Sequence, residues 1–117
     1  MVGTVEKSEV ERMIGDEADE TLLIDVRSGE EVAEGMIPSA IHVPLEHVPV
    51  LFADPDPYAW AEVGVEDGPP AKDARIVFYC RSGARSGLAA AVVEADSGFT
   101  NTHNYTGSWL DWTGQDH

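Results

Sequence analysis

Two runs of the chain, Thr21-Leu-Leu-Ile-Asp-Val26 and Arg75-Ile-Val-Phe-Tyr79, are apolar without strict alternation of apolar and polar positions. A strand with one wet face alternates. A run that does not is covered on both faces, as in a parallel sheet sandwiched by helices. Parallel neighbours need long crossovers, and helix signals fill the intervening segments. Ser8-Glu-Val-Glu11 has a capping-box pattern continued by Arg12-Met-Ile14 and stopped at Gly15, and Ser28-Gly-Glu-Glu31 repeats the pattern, opening a short helix toward Glu34 and Gly35.

Further along, Ala40-Ile-His-Val43 predicts a short strand closed by Pro44, and Leu45 to Phe52 a helix that tolerates Pro49. Ser86 to Asp96 predicts a helix ended by Ser97-Gly98, Thr102 to Tyr105 a last strand, and Gly107 to Thr113 a terminal helical segment with Trp109 and Trp112 on one face. From Ala53 to Asp73 the Asp-Pro, Gly-Pro-Pro and acidic text predicts a loop. The alternation of strands and helices implies an α/β fold with a mainly parallel sheet. A chain of 117 residues supports one core, so residues 1–117 are read as a single domain with 53–73 as an acidic Pro/Gly-rich loop inside it.

Charge narrows the partners. Asp and Glu number 22 against 7 Lys and Arg, a net charge of −15, and the acidic residues are spread along the chain. Nucleic acid and anionic membrane surfaces both require a basic footprint, so neither is an expected partner. An acidic surface of this kind suits a salt-adapted, halophilic setting, where a Debye length of roughly 3 Å at about 1 M salt screens the self-repulsion. No apolar run approaches the length of a membrane span, and the first residues lack a signal-peptide layout, so a cytoplasmic location is expected.

Cys80 is the sole cysteine, which rules out an intramolecular disulfide and a multi-cysteine zinc site. His42, His47, His103 and His117 lack metal-ligand spacing, and no metal or cofactor is expected. What surrounds Cys80 is more informative. It ends the apolar run at Tyr79 and begins Cys80-Arg-Ser-Gly-Ala-Arg-Ser86, after which comes the small-residue stretch Gly87-Leu-Ala-Ala-Ala-Val-Val93. A strand turning into a helix brings backbone N–H groups and the positive helix end around the sulfur, and such a place favours the thiolate. Gly83 lets the loop take a positive φ and form an anion-holding nest, while Arg81 and Arg85 add positive charge and Asp25-Val-Arg27 ends the neighbouring run. In a parallel sheet these carboxyl ends are where ligands bind.

Four segments in order resemble the single-domain rhodaneses, the thiosulfate-type sulfurtransferases. Leu23-Ile-Asp-Val-Arg27 is similar to the family's strand-and-turn signature, and Glu34-Gly-Met-Ile-Pro-Ser-Ala-Ile-His-Val-Pro44 to its Gly-His-Ile-Pro-Gly-Ala segment. Val77-Phe-Tyr-Cys-Arg-Ser-Gly-Ala-Arg-Ser86 is similar to its active-site loop, and Gly98-Phe-Thr-Asn101 with Gly107-Ser-Trp-Leu-Asp-Trp112 to its C-terminal pattern. The resemblance implies a three-layer α/β/α fold on a central, mainly parallel five-stranded sheet. It also implies a cycle in which Cys80 takes the outer sulfur of an anionic donor such as thiosulfate and passes it from a persulfide to an acceptor.

On that pattern Arg81 and Arg85 would bind the donor's anionic end, and Ser82, Gly83, Ala84 and Ser86 would complete the pocket. Asp25 and Arg27 would support it, more as a buried pair fixing the turn than as substrate contacts. With no second cysteine to resolve a persulfide, the acceptor must be external: a thiol, a cyanide-like nucleophile, thioredoxin or another sulfur-accepting protein. A persulfide-carrying or sulfur-sensing module that delivers sulfur to a protein partner is the alternative reading. Phosphatase or arsenate-reductase chemistry stands behind both, because four residues separate Cys80 from Arg85 where phosphatases of the same fold have five. Met36, Ser39 and Ser108 depart from the family's His, Gly and Gly, which bears on local loop shape and substrate preference.

Overall fold

The computed structural model describes residues 2–15, 21–54, 56–66 and 68–114. The chain runs β1 (Gly3–Val5), α1 (Lys7–Ile14), β2 (Thr21–Asp25), α2 (Gly29–Val32), β3 (Ile41–His42), a 3-10 turn (Leu45–His47), α3 (Val48–Phe52), α4 (Pro57–Glu62), β4 (Arg75–Tyr79), α5 (Ala84–Ser97), β5 (Thr102–Tyr105) and α6 (Ser108–Thr113). The five strands form one sheet in the order β1-β5-β4-β2-β3, with every pairing parallel.

Both faces of this sheet are covered, as the unalternating runs required. Along β4 the side chains alternate. Ile76, Phe78 and Cys80 enter one core with Ala89, Ala90 and Val93 of α5, whereas Val77 and Tyr79 enter the other with Val10 and Met13 of α1. The small residues of α5 bring its backbone close to β4 and pack around the strand-to-helix turn at Cys80. Trp109 and Trp112 pack against the second core as partly buried side chains.

The chain passes from β2 to the edge strand β3 and then returns across β2 to β4. The reversal falls between β2 and β4, and the carboxyl ends of strands at such a point are the usual place for a ligand in a parallel sheet. Asp25 ends β2 and Cys80 directly follows β4.

Several expectations are corrected. β1 lies in a segment the sequence did not mark as a strand; its three residues carry too little pattern, and parallel pairing with β5 creates it. The α1 capping box starts at Glu6, not Ser8. Glu6 accepts from the N3 amide and its own N–H donates to Glu9 Oε1 at 3.1 Å.

The 53–73 segment contains α4, because Asp56 caps Tyr58 N at 2.9 Å with Pro57 in the first turn, so the Asp-Pro text is a helix start. Trp60 anchors it, fully buried edge-on to Phe52 at 4.9 Å, with its indole N–H donating to the Asp54 carbonyl at 2.9 Å. Leu45 to Phe52 divides into a 3-10 turn and α3, with Pro49 in the first turn of α3. No helix among the described residues is long and apolar enough to cross a membrane.

Candidate active site

The loop after β4 is held from outside so that its amides face inward. Trp109 N donates to the Cys80 carbonyl at 3.0 Å and Leu110 N to the Arg81 carbonyl at 3.1 Å, so the amino end of α6 captures two consecutive loop carbonyls. In a trans peptide the N–H points opposite to the C=O, so the peptide whose carbonyl faces α6 turns the Ser82 N–H toward the sulfur. Gly83 N donates to Cys80 Sγ at 3.1 Å. Gly83 sits at φ 100°, and a Cβ there would lie 2.5 Å from the Thr106 carbonyl oxygen. Glycine is therefore required twice, by conformation and by space.

Cys80 is 1% exposed. Burial pushes its thiol pKa up; the Ser86 hydroxyl, followed by the N–H groups of Ser86, Gly83 and Ser82, pulls it down and prevails, leaving it below its ordinary value of 9.0. The stabilisers are the Ser86 hydroxyl and the backbone N–H dipoles at the head of α5. This is an activated thiol held by a nest.

The arginines are disposed unevenly. Arg81 is exposed at the rim and forms no ion pair with a described residue. Arg85, in the first turn of α5, is gripped by Glu31 through two bonds, Nη1 to Oε1 at 2.7 Å and Nη2 to Oε2 at 2.8 Å. Glu31 is itself fixed, because Ser28 N donates to its Oε1 at 3.1 Å within the α2 capping box. Arg85 and the Arg27 group thus reach the site already partnered.

Arg27 is 1% exposed and Asp25 fully buried, joined by Nη2 to Oδ2 at 2.8 Å and Nε to Oδ1 at 3.1 Å. Arg27 Nη2 also donates to the Gly35 carbonyl at 2.6 Å, and the guanidinium lies 4.5 Å from the Trp109 ring centre. The pair ties the β2 turn to the Gly35 carbonyl and to Trp109 of α6. Ser82 and Ala84 are exposed on the loop, Gly83 half-buried and Ser86 fully buried beneath the sulfur.

Three residues that the sequence reading did not place at the site belong to it: Glu31, Asn104 and Ser108. Asn104 Nδ2 donates to the Gly83 carbonyl at 3.1 Å, and its Oδ1 lies 2.6 Å from Ser86 Oγ, which in turn is 3.4 Å from Cys80 Sγ. Ser108 Oγ accepts Cys80 N–H at 3.1 Å and donates to the Tyr105 carbonyl at 2.7 Å. Ser39 and Ser108, both standing where the family has glycine, keep positive φ angles of 72° and 55°.

A polar residue in a short buried strand was the available signal for Asn104. For Ser108 it was the departure from glycine. His42 Nε2 lies 2.7 Å from the Arg27 carbonyl and His103 Nε2 2.7 Å from Asn101 Oδ1, while His117 lies outside the described residues. No group of three or more potential metal ligands occurs among the described residues.

Residues 6–115 match the model of the rhodanese-like domain. The human thiosulfate:glutathione sulfurtransferase is 34% identical over 90 residues, covering 77% of this chain and 76% of that protein. A sulfurtransferase of Allochromatium vinosum is 30% identical over 112 residues, covering 96% of this chain and 89% of its own. The structure of a human single-domain sulfurtransferase superposes with a TM-score of 0.84 at 27% identity, over the full length of both chains.

Proposed function

The chain belongs to the rhodanese family and is a sulfurtransferase of that type, and from that premise we propose that Cys80 carries sulfane sulfur from an anionic donor such as thiosulfate to an external thiol or cyanide-like acceptor. The observation that carries the mechanism is the buried sulfur facing loop N–H groups at the head of α5. The Cys80 thiolate attacks the outer sulfur of thiosulfate. A new S–S bond forms, the old one breaks, and its electron pair leaves with sulfite. Charge balances, since a thiolate and a dianion become a persulfide anion and a dianion.

Gly83 N–H and its neighbours hold the charge before attack and again on the persulfide, so little reorganisation accompanies the step. Arg81 meets the donor's sulfonate from the rim. Arg85 contributes through the field it retains beside Glu31, and a donor that reaches it must compete with that carboxylate.

The acceptor then attacks the outer sulfur and releases the Cys80 thiolate. It comes from solution, because the chain has no second thiol. A small thiol is favoured by the human relative, which is named for glutathione. The acidic surface favours a salt-rich working environment, and a sole cysteine that forms no disulfide within the chain is consistent with a reducing cytoplasm.

Thiosulfate-dependent thiocyanate formation in high salt, with Cys80→Ser as control, tests the proposal alongside intact mass after donor treatment. A sulfur adduct on Cys80 and rapid multiple turnover with cyanide or glutathione are expected. An adduct without turnover would instead indicate a carrier that serves a protein acceptor. Absence of any adduct would overturn sulfur transfer through Cys80.

A further inference from the structure

Ser86 has one hydroxyl proton and two acceptors within reach. Asn104 Oδ1 is 2.6 Å away and Cys80 Sγ 3.4 Å. The amide cannot turn its nitrogen to Ser86 without losing the bond from Nδ2 to the Gly83 carbonyl, so the oxygen faces the hydroxyl. Ser86 is fully buried and Asn104 only 9% exposed.

With a neutral sulfur, the short contact to Asn104 takes the proton and leaves a Ser86 lone pair to accept from the thiol. With an anionic sulfur, the charge-assisted bond is the stronger and draws the proton to Sγ. That rotation leaves Ser86 Oγ and Asn104 Oδ1 facing each other as acceptors at the same short separation. Asn104 therefore opposes the thiolate through Ser86.

We propose that the Ser86 hydroxyl is a two-position donor between Asn104 and Cys80, and that Asn104 is the positioning residue that limits how strongly the site holds the thiolate. Only an O–H bond rotates; no proton changes its parent atom. The functional consequence rests on the sulfur-transfer reading. Once Cys80 Sγ becomes a neutral bridging sulfur and the charge moves to the outer atom, the hydroxyl returns to Asn104. A sulfur held too firmly as thiolate is a poorer nucleophile, so a restrained donor keeps Cys80 reactive.

The test is the pH dependence of iodoacetamide alkylation of Cys80, followed by intact mass, which requires no sulfur donor. Asn104→Leu removes the competing acceptor while keeping the branch at Cγ, and the alkylation midpoint is expected to fall by about one pH unit, the size of part of a charged hydrogen bond. Ser86→Ala should raise the midpoint by a comparable amount. In the Ser86→Ala background, Asn104→Leu should move it far less, because only the loss of the Nδ2 bond to the Gly83 carbonyl is then felt at the sulfur.

An unchanged or raised midpoint in Asn104→Leu overturns the proposal, as does an equal shift with and without Ser86, which would mark simple loosening of the loop. Asn104→Ala, which adds no bulk, carries the same comparison should the leucine variant fail to give the native circular dichroism spectrum. If the cycle behaves as expected but thiosulfate leaves no sulfur on Cys80, sulfur transfer fails and the donor switch stands.

Discussion

Glu31→Gln separates what the Glu31–Arg85 pair does for the fold from what it does for the site. The Glu31 carboxyl is drawn from 4.5 to about 2, first by the hydrogen bond from Arg85, against the opposing effect of burial, and then by Ser28. At 1.36 kcal/mol per pKa unit this displacement corresponds to about 3 kcal/mol. The Arg85 side chain is 36% exposed and that of Glu31 25%, so solvent screening reduces the contribution to about 1 kcal/mol. Because the folded pKa is depressed, this stability is fully present above pH 4.5 and is lost as pH falls through about 2.

Urea unfolding of Glu31→Gln should therefore show a deficit of about 1 kcal/mol at pH 7 that closes between about pH 4.5 and pH 2. The same substitution leaves Arg85 uncompensated beside Cys80, whose charge it already feels. The KM for thiosulfate should fall about fivefold, the worth of about 1 kcal/mol from one added charge near the surface. A deficit that persists unchanged at low pH would refute the linkage argument. An unchanged KM together with an unchanged pH profile would make the pair purely structural.

Ser108→Ala keeps the positive φ of 55° but loses the bond to Cys80 N, whereas Ser108→Gly relieves the backbone strain while losing the same bond; thermal unfolding should place glycine about 1 kcal/mol above alanine, with both below wild type. If alanine equals glycine, the strain argument fails. The pH–rate profile of sulfur transfer should rise with pH and level off below 9.0, because the site holds the Cys80 thiol below that value, and Ser86→Ala should move the rise upward. Raising KCl from about 0.1 to about 1 M shortens the Debye length from roughly 10 to roughly 3 Å, so a chain of charge −15 should gain thermal stability and a lower thiosulfate KM; a falling melting temperature would refute the salt-adapted reading.

Local text made most of the fold legible. Leu23-Ile-Asp-Val and Ile76-Val-Phe-Tyr could be read because both faces of a central parallel strand must be apolar, and Ser28 with Glu31 because a capping box is confined to four residues. Gly3–Val5 could not be read, since its pairing partner lies a hundred residues away in β5 and three residues hold no period.

The site divides along the same line. The loop from Cys80 to Ser86 is contiguous, so its nest could be anticipated. Glu31 reaches Arg85 across 54 residues, Ser108 reaches Cys80 across 28 and Asn104 reaches Ser86 across 18. Such contacts follow from strand order, which no single segment encodes.

These long-range partners also explain how a protein with an acidic surface can favour a thiolate at Cys80. Of the three arginines expected to supply positive charge, Arg27 is committed to Asp25 and the Gly35 carbonyl, and Arg85 to Glu31. Arg81 alone is exposed without an ion pair among the described residues. The charge on sulfur is consequently met by backbone N–H groups and the Ser86 hydroxyl, held by α6 from outside and by Asn104 from β5. Mobile ions screen a guanidinium at the rim far better than an amide dipole in contact with a buried sulfur. On the sulfur-transfer proposal, a nucleophile stabilised by the fold's own dipoles is expected to lose less reactivity on adding salt than one stabilised by a rim arginine, and thiosulfate turnover measured against KCl concentration checks this.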